Sequence, residues 1–454
     1  MNEEPARRRR TSSRSAAQGA GSSASRSRGK GPKTAELVKG VVLGALALVL
    51  IIVIVRHFGA DDVMSDAADP GWKSDGVTGD LGRAASELAA QPPAVDAAKA
   101  AALDALNQSP LNVGALSLLA DAAEAAGDTA ASAKYRRLIH EQTRRHIPTM
   151  RWLFDQAVAS RDFATAASLA DAMLRQDYLQ PNARYVMATM GTLITDPEAR
   201  PPIAAILSTS NVWRRAFLEL IASRGDIDAF PELLSLVSSS NGPAFTSAWN
   251  LYFDRLIKGG ESRRAYVVWT GLLPPEEMAN LGLLYNGDFE SPATGLPFDW
   301  TIKTARGMEI VLDGTDPGKG KQSLRVTFGG APMSFRNMLQ TLILDPGNYT
   351  LSGMTKTDNL VTDRGLSWGI YCNSLDGNAQ LVASPSFSGT SDWKRFTVDF
   401  TVPPQYCDYQ TIRLELPARI AAERRIQGSI WVDDLAIVAQ PMATSAPIAA
   451  PPAQ

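Results

Sequence analysis

At Pro274-Pro275 the apolar residues of this 454-residue chain stop recurring every three or four positions and begin to alternate, and one kind of secondary structure cannot satisfy both patterns. Upstream, Leu116, Leu119, Ala120 and Ala123 share a helical stripe. Downstream, SLRVTF sets Leu324, Val326 and Phe328 against Arg325 and Thr327. RFTVDFTV does the same with Phe396, Val398, Phe400 and Val402, and TIRLEL with Ile412, Leu414 and Leu416. Each reads as a strand with one face in a core and one in water. Asp316-Pro317-Gly318, Asp345-Pro346-Gly347 and Asp376-Gly377 supply turns between them. The chain is long enough for two or three domains, and the pattern predicts an all-α part followed by an all-β sandwich of many short strands.

The first sixty residues carry a different signal. Arg7, Arg8, Arg9, Arg10, Arg14, Arg26, Arg28, Lys30, Lys33 and Lys39 face only Glu3, Glu4 and Glu36, a bias hidden by the net charge of -2. Residues 1–36 therefore read as a disordered basic tail, and without interleaved aromatics it is an orientation signal rather than a nucleic-acid site. LVKGVVLGALALVLIIVIVRHF, residues 37–58, is apolar from Gly40 to Val55 and, as a helix, reaches roughly the thickness of a bilayer core. It predicts a single transmembrane helix with the N-terminus cytoplasmic. A linker at 59–78 follows, and the bulk of the chain is placed in the periplasm of a Gram-negative bacterium, anchored in the inner membrane.

Residues 79–280 are rich in helix formers and punctuated by Gly127-Asp128, Arg161-Asp162, Gly225-Asp226 and Gly259-Gly260. The first two pairs stand 34 residues apart, as do the last two, and Leu119, Ala123 and Asp128 match Leu153, Ala157 and Asp162 at that offset. The segment resembles tetratricopeptide repeats over 94–180 and more loosely over 203–273. Ala120 and Phe154 stand where that family places a glycine. The resemblance implies a degenerate solenoid of helical hairpins with a surface for a protein partner, and Trp152, Trp213, Trp249 and Trp269 are read as core.

The stretch LLYNGDFESPATGLPFDW at 283–300, then GKQSLRV, DPGNYTLSG, Trp393 with its alternating strand and finally GSIWVDDLAI, resembles a carbohydrate-binding module of the galactose-binding-like jelly-roll type over 283–440. Residues 441–454 form a Pro/Ala tail. The resemblance implies a structural calcium on Glu290, Asp433 and Asp434, hard oxygen ligands of the kind that ion prefers. The alternative is that Glu290 and Asp434 merely cap strand ends. It also marks Trp300, Trp393 and Trp431 as packing positions.

Only Cys372 and Cys407 are present, and outside the cytoplasm they are expected to pair. Such a bond draws Tyr371 and Asn373, on the face opposite Trp368 and Ile370, toward Tyr406 and Tyr409, with Arg413 and Glu415 on a following strand. Aromatic rings with amide and charged groups suit a glycan, and these six residues are the candidate binding set; a solvated sheet face with scattered tyrosines is the bland reading.

Catalytic patterns are absent: there is no G-x-S-x-G elbow, GTDPGKGKQS lacks phosphate-loop spacing, and His57, His140 and His146 suit no common zinc site. The adjacent acids Glu276-Glu277 and Asp433-Asp434 point in alternate directions and form no opposed pair. The expectation is a non-enzymatic scaffold that requires no cofactor, with the structural calcium as the one ion the resemblance allows. It would bind polysaccharide and protein components of a polysaccharide synthesis or export machinery, and no nucleic acid. The competing expectation is a protein-interaction scaffold whose sandwich binds no sugar.

Overall fold

A computed structural model describes residues 76–441, apart from 177, 179–180, 210–211, 239–241, 280 and 375–376. The chain divides into two compact units at 142/143, inside the segment read above as one solenoid.

In the first unit, α1 (Val77–Ala89), α2 (Val95–Gln108), α3 (Val113–Ala125) and α4 (Thr129–Gln142) pack each on the next. Its core is small: Ala84, Ala101, Ala102 and Leu119, with Leu106, Leu118 and Tyr135 at the margin. Alanines allow close helix approach but bury little area, so polar anchors supplement them. Arg136, 6% exposed, donates to Asp121 at 3.0 Å and Glu124 at 2.6 Å.

The second unit continues with α5 (Ile147–Ala159), α6 (Phe163–Gln176), α7 (Pro181–Leu193), α8 (Arg200–Ser208), α9 (Arg214–Arg224), α10 (Ala229–Ser235), α11 (Pro243–Lys258), α12 (Ser262–Thr270) and the short α13 (Pro275–Ala279). The punctuating pairs act as anticipated. Gly127 and Arg161 both take left-handed backbone, φ 75° and 60°, and Asp128, Asp162 and Asp226 each accept a backbone N–H of the next helix's first turn, at 2.9, 3.1 and 2.8 Å.

The predicted membrane span at 37–58, the tail at 1–36, most of the 59–78 linker and 442–454 lie outside the described residues. Among the described residues no helix is long and apolar enough to cross a membrane. The longest, α11, has 16 residues, about 24 Å of helix against a core of about 30 Å, and it turns Phe245, Trp249 and Phe253 into a protein core. This corrects the expectation of a single-pass inner-membrane protein with a cytoplasmic N-terminus and a periplasmic bulk, and that placement is withdrawn.

The period-2 segments form a sandwich of two antiparallel sheets. One runs β1 (Thr301–Ile302), β4 (Met338–Leu342), β9 (Tyr409–Glu415), β6 (Ser367–Ser374), β7 (Gly377–Ala383). The other runs β2 (Met308–Asp313), β3 (Ser323–Pro332), β10 (Arg425–Ala439), β5 (Gly347–Thr362), β8 (Gly389–Val402). Trp368, Ile370, Ile412 and Leu414 of the first sheet meet Leu324, Val326, Ile430 and Val432 of the second, all at most 1% exposed. Trp300 is fully buried between them, 5.7 Å from Trp368.

The helical core does not stop at Pro274-Pro275. Phe298, from the connection leading into β1, is 1% exposed and sits 6.0 Å from Phe253, 5.4 Å from Tyr266 and 5.7 Å from Trp269. Asn250 donates to Gly295 O at 3.1 Å and Ser262 to Asp408 O at 3.1 Å, so α11 and α12 are stitched to the sandwich by polar bonds as well.

Candidate functional site

Along β6 and β9 alternation puts Trp368, Ile370, Cys372, Ile412 and Leu414 inward, leaving Gly369, Tyr371, Asn373, Thr411, Arg413 and Glu415 on the outer face. The register sets Gly369 opposite Arg413 and Tyr371 opposite Thr411. Four of the six expected residues gather here. Glu415, 3% exposed, accepts from the Tyr371 hydroxyl and from Arg413 Nε at 2.8 Å, and Arg336 Nε lies 3.5 Å away. The Arg413 guanidinium stacks on the Tyr371 ring, 3.6 Å from its centroid. Asn373 joins through Thr411, donating to its hydroxyl at 3.0 Å. Burial, then the Glu415 carboxylate, pushes the Tyr371 phenol up, so it stays a donor at neutral pH.

Gly369 explains how the ring lies flat. A Cβ there would sit 2.6 Å from the Tyr371 ring and 3.1 Å from Glu415 Oε1, so a side chain would displace both. A glycine at an outward strand position was the available signal of this close approach, and together with Arg336 and Thr411 it completes the set.

Two expected members are placed differently. Tyr409 faces Asn373 across the ladder at the start of β9, half-buried, and burial and then Asp254 of α11 push its phenol up. Tyr406 stands in the β8–β9 loop, 74% exposed, with φ 58°. The expected disulfide is present: Cys372 and Cys407 are bonded, with Cα atoms 5.1 Å apart.

The implied calcium ligands serve another purpose. Glu290 accepts from Lys321 N at 2.6 Å, and Asp433 from Lys319 N at 2.7 Å and Asp434 N at 2.6 Å. Asp434 binds Arg395 and, at 3.0 Å, Lys319 Nζ. Burial would raise Asp434, but these two cations outweigh it and hold its carboxyl below the usual range. Among the described residues no group of three or more such side chains is placed to hold a metal ion. These carboxylates do not fit the ion as arranged: Glu290 and Asp433 accept from backbone N–H groups of the β2–β3 loop, and Asp434 is paired with Lys319 and Arg395.

The outer face of the second sheet carries its own constellation. Trp431 lies between Arg325 on β3 and Lys356 on β5 in the ladder, and it is half-buried on the surface rather than packed in the core as the resemblance implied. Its indole donates to Asp313 Oδ2 at 3.0 Å, an oxygen 3.5 Å from Arg325 Nε. Trp393 donates to Asp316 Oδ1 at 3.2 Å, and Lys356 Nζ reaches Asp316 Oδ2 at 2.6 Å.

The Thr315 hydroxyl, the Trp431 indole and the Thr315 N–H hold the Asp313 carboxyl at about 2. A carboxyl depressed in the folded state contributes stability that is complete above its unfolded pKa and fades as pH falls through the folded one. The chain is thus expected to lose stability from about pH 4 down to about pH 2, with Asp313→Asn losing less across that window. Urea midpoints at pH 5, 3.5 and 2 check this, and parallel declines for both proteins would contradict it.

A carbohydrate binding domain model matches residues 281–419. Among solved structures, a CBM4 module is 22% identical (35% of this chain, 99% of that chain, TM-score 0.27), and a xylan-binding domain from CBM 22 is 17% identical (35% and 96%, TM-score 0.25). TmCBM61, solved in complex with beta-1,4-galactotriose, is 16% identical (35% and 99%, TM-score 0.24). A search of curated proteins returned no match. The two-sheet architecture and the domain match together make the C-terminal part a carbohydrate-binding-module-like jelly-roll, which points to a glycan as its ligand class.

Proposed function

We propose that the outer face of the first sheet binds a glycan chain through Tyr371, Arg413 and Arg336, which Glu415 holds in place from beneath, and that the chain is non-enzymatic. The supporting observation is the pre-positioned set of donors and acceptors over Gly369. A buried carboxylate fixes the Arg413 fork and the Tyr371 hydroxyl before any ligand arrives, which lowers the ordering cost of binding. Glu415 is surrounded by donors, so its role is to hold these groups rather than to exchange a proton. The helices provide the scaffold, and in this reading the protein is an accessory that brings a polysaccharide to protein components of its synthesis or export machinery.

The test is affinity gel electrophoresis of the full chain in mixed-linkage β-glucan, xylan and galactan. Tyr371→Phe and Arg413→Lys remove one donor and the guanidinium fork, and each is expected to weaken retention about tenfold with little change in melting temperature. Retention unchanged by both would refute this site.

One observation favours a second reading, in which the sandwich binds protein alone. Arg413 already occupies a face of Tyr371, so no bare aromatic platform is offered there. Absence of retention by all three polysaccharides would favour that reading.

A further inference from the structure

The geometry points to a second saccharide platform on the opposite face of the sandwich, formed by Trp431 with Arg325 and Lys356 at its two sides, which takes a neutral glycan chain. It rests on the reading above for the ligand class alone, since the residues are different and Trp431 lies beyond the stretch that the domain model matches.

Three features make this face a built surface rather than an incidental one. First, the aromatic is fixed. The Trp431 indole N–H is tied to Asp313, itself 6% exposed and held by Thr315 at 2.9 and 2.6 Å, so the ring is set before a ligand arrives. Second, donors flank it. Arg325 and Lys356 are its direct neighbours in the ladder, and Lys356 Nζ stands 5.8 Å from the ring centroid. The Arg325 side chain is about one-third exposed, with Nε turned inward to 3.5 Å from Asp313 Oδ2, so its guanidinium is held at the edge of the face. Third, each cation already has a carboxylate partner, Arg325 in Asp313 and Lys356 in Asp316 at 2.6 Å, with Asp392 a further 4.0 Å from Lys356. A face whose cations are already partnered and whose remaining charge is acidic offers polar groups to the hydroxyls of an uncharged sugar and repels a phosphate or a polyanion. Trp393 is the poorer platform, because the β2–β3 loop lies on it: a Cβ on Gly318 would come within 3.1 Å of its ring.

Two saccharide-binding faces on opposite sides of one sandwich make the chain bivalent for polysaccharide, so that one molecule can bridge two glycan chains.

Isothermal titration of the full chain with β-1,4-linked hexasaccharides of glucose, xylose and galactose tests this, alongside Trp431→Ala, Arg325→Met and the first-face variant Arg413→Lys. Near-UV circular dichroism checks each fold, and Arg325→Met serves if Trp431→Ala does not fold. The expected result is two sites on the wild type and one on Trp431→Ala, whose lost site weakens at least about tenfold, with the complementary site lost in Arg413→Lys. One wild-type site that survives both Trp431→Ala and Arg325→Met overturns the second platform and leaves the first standing. One site lost on changing Trp431 but kept in Arg413→Lys supports the platform and overturns the first-face reading. Binding of none of the three overturns both.

Discussion

Phe298→Ala is expected to destabilise the second unit by about 3–5 kcal/mol, the range for removing a fully buried aromatic from a packed core. Phe298 belongs by sequence to the connection that opens the sandwich, yet its ring meets Phe253, Tyr266 and Trp269 on the helices. The cavity left behind would be walled by α11 and α12, helices also bonded to the loops at Gly295 and Asp408, and neighbours held on several sides collapse poorly. Urea unfolding followed by both far-ultraviolet circular dichroism and tryptophan fluorescence reads the loss. The two signals are expected to shift together, because helices and sandwich share this ring. A loss under about 1 kcal/mol, or a shift in one signal alone, would show that the junction carries little of the stability. The same contact makes the full chain, rather than residues 283–440, the appropriate material for binding work, since cutting there would expose Phe298 and Tyr285.

Removing the Cys372–Cys407 bond is the second large perturbation. It closes a separation of 35 residues, for which the chain-entropy model gives about 4 kcal/mol. The bond ties β6 to the loop that precedes β9, and that loop is held again where Asp408 N donates to Asn373 O at 2.9 Å and Asp408 O accepts from Ser262. The double variant Cys372→Ala, Cys407→Ala is therefore expected to lose less than the full entropic figure, roughly 2–4 kcal/mol, while still folding. Its glycan affinity is expected to fall as well, because the freed loop borders the strand that carries Tyr371. Equal denaturation midpoints with and without the bond would contradict this account.

What the sequence makes legible is periodicity and punctuation. Alternation in SLRVTF and TIRLEL identifies the inward faces of β3 and β9, since a strand's two faces separate at every second residue, and Leu324, Val326, Ile412 and Leu414 are all buried. Asp128, Asp162 and Asp226 are recognisable as caps because capping is local, decided within three residues. The site is legible only in part. That Tyr371, Arg413 and Glu415 share a face follows from alternation, but that Arg413 lies on the Tyr371 ring depends on side-chain direction and on the missing Cβ at Gly369, which no spacing encodes. The carboxylates of Asp433 and Asp434 look free in sequence. Their partners, Lys319 and Arg395, are 115 and 39 residues from Asp434, and only the fold brings them together. Phe298 is the same lesson in the core: a change of period marks where elements change, and packing is free to cross it.

The central claim is that the outer face of the first sheet holds the glycan, and amide hydrogen exchange of the full chain with and without saturating polysaccharide tests it most directly. The account calls for slowed exchange in 367–373 and 409–415 when polysaccharide is bound, and for its disappearance in Arg413→Lys. Slowing confined to the helices between 147 and 279, or equal exchange in both states while the polysaccharide is demonstrably bound, would contradict it.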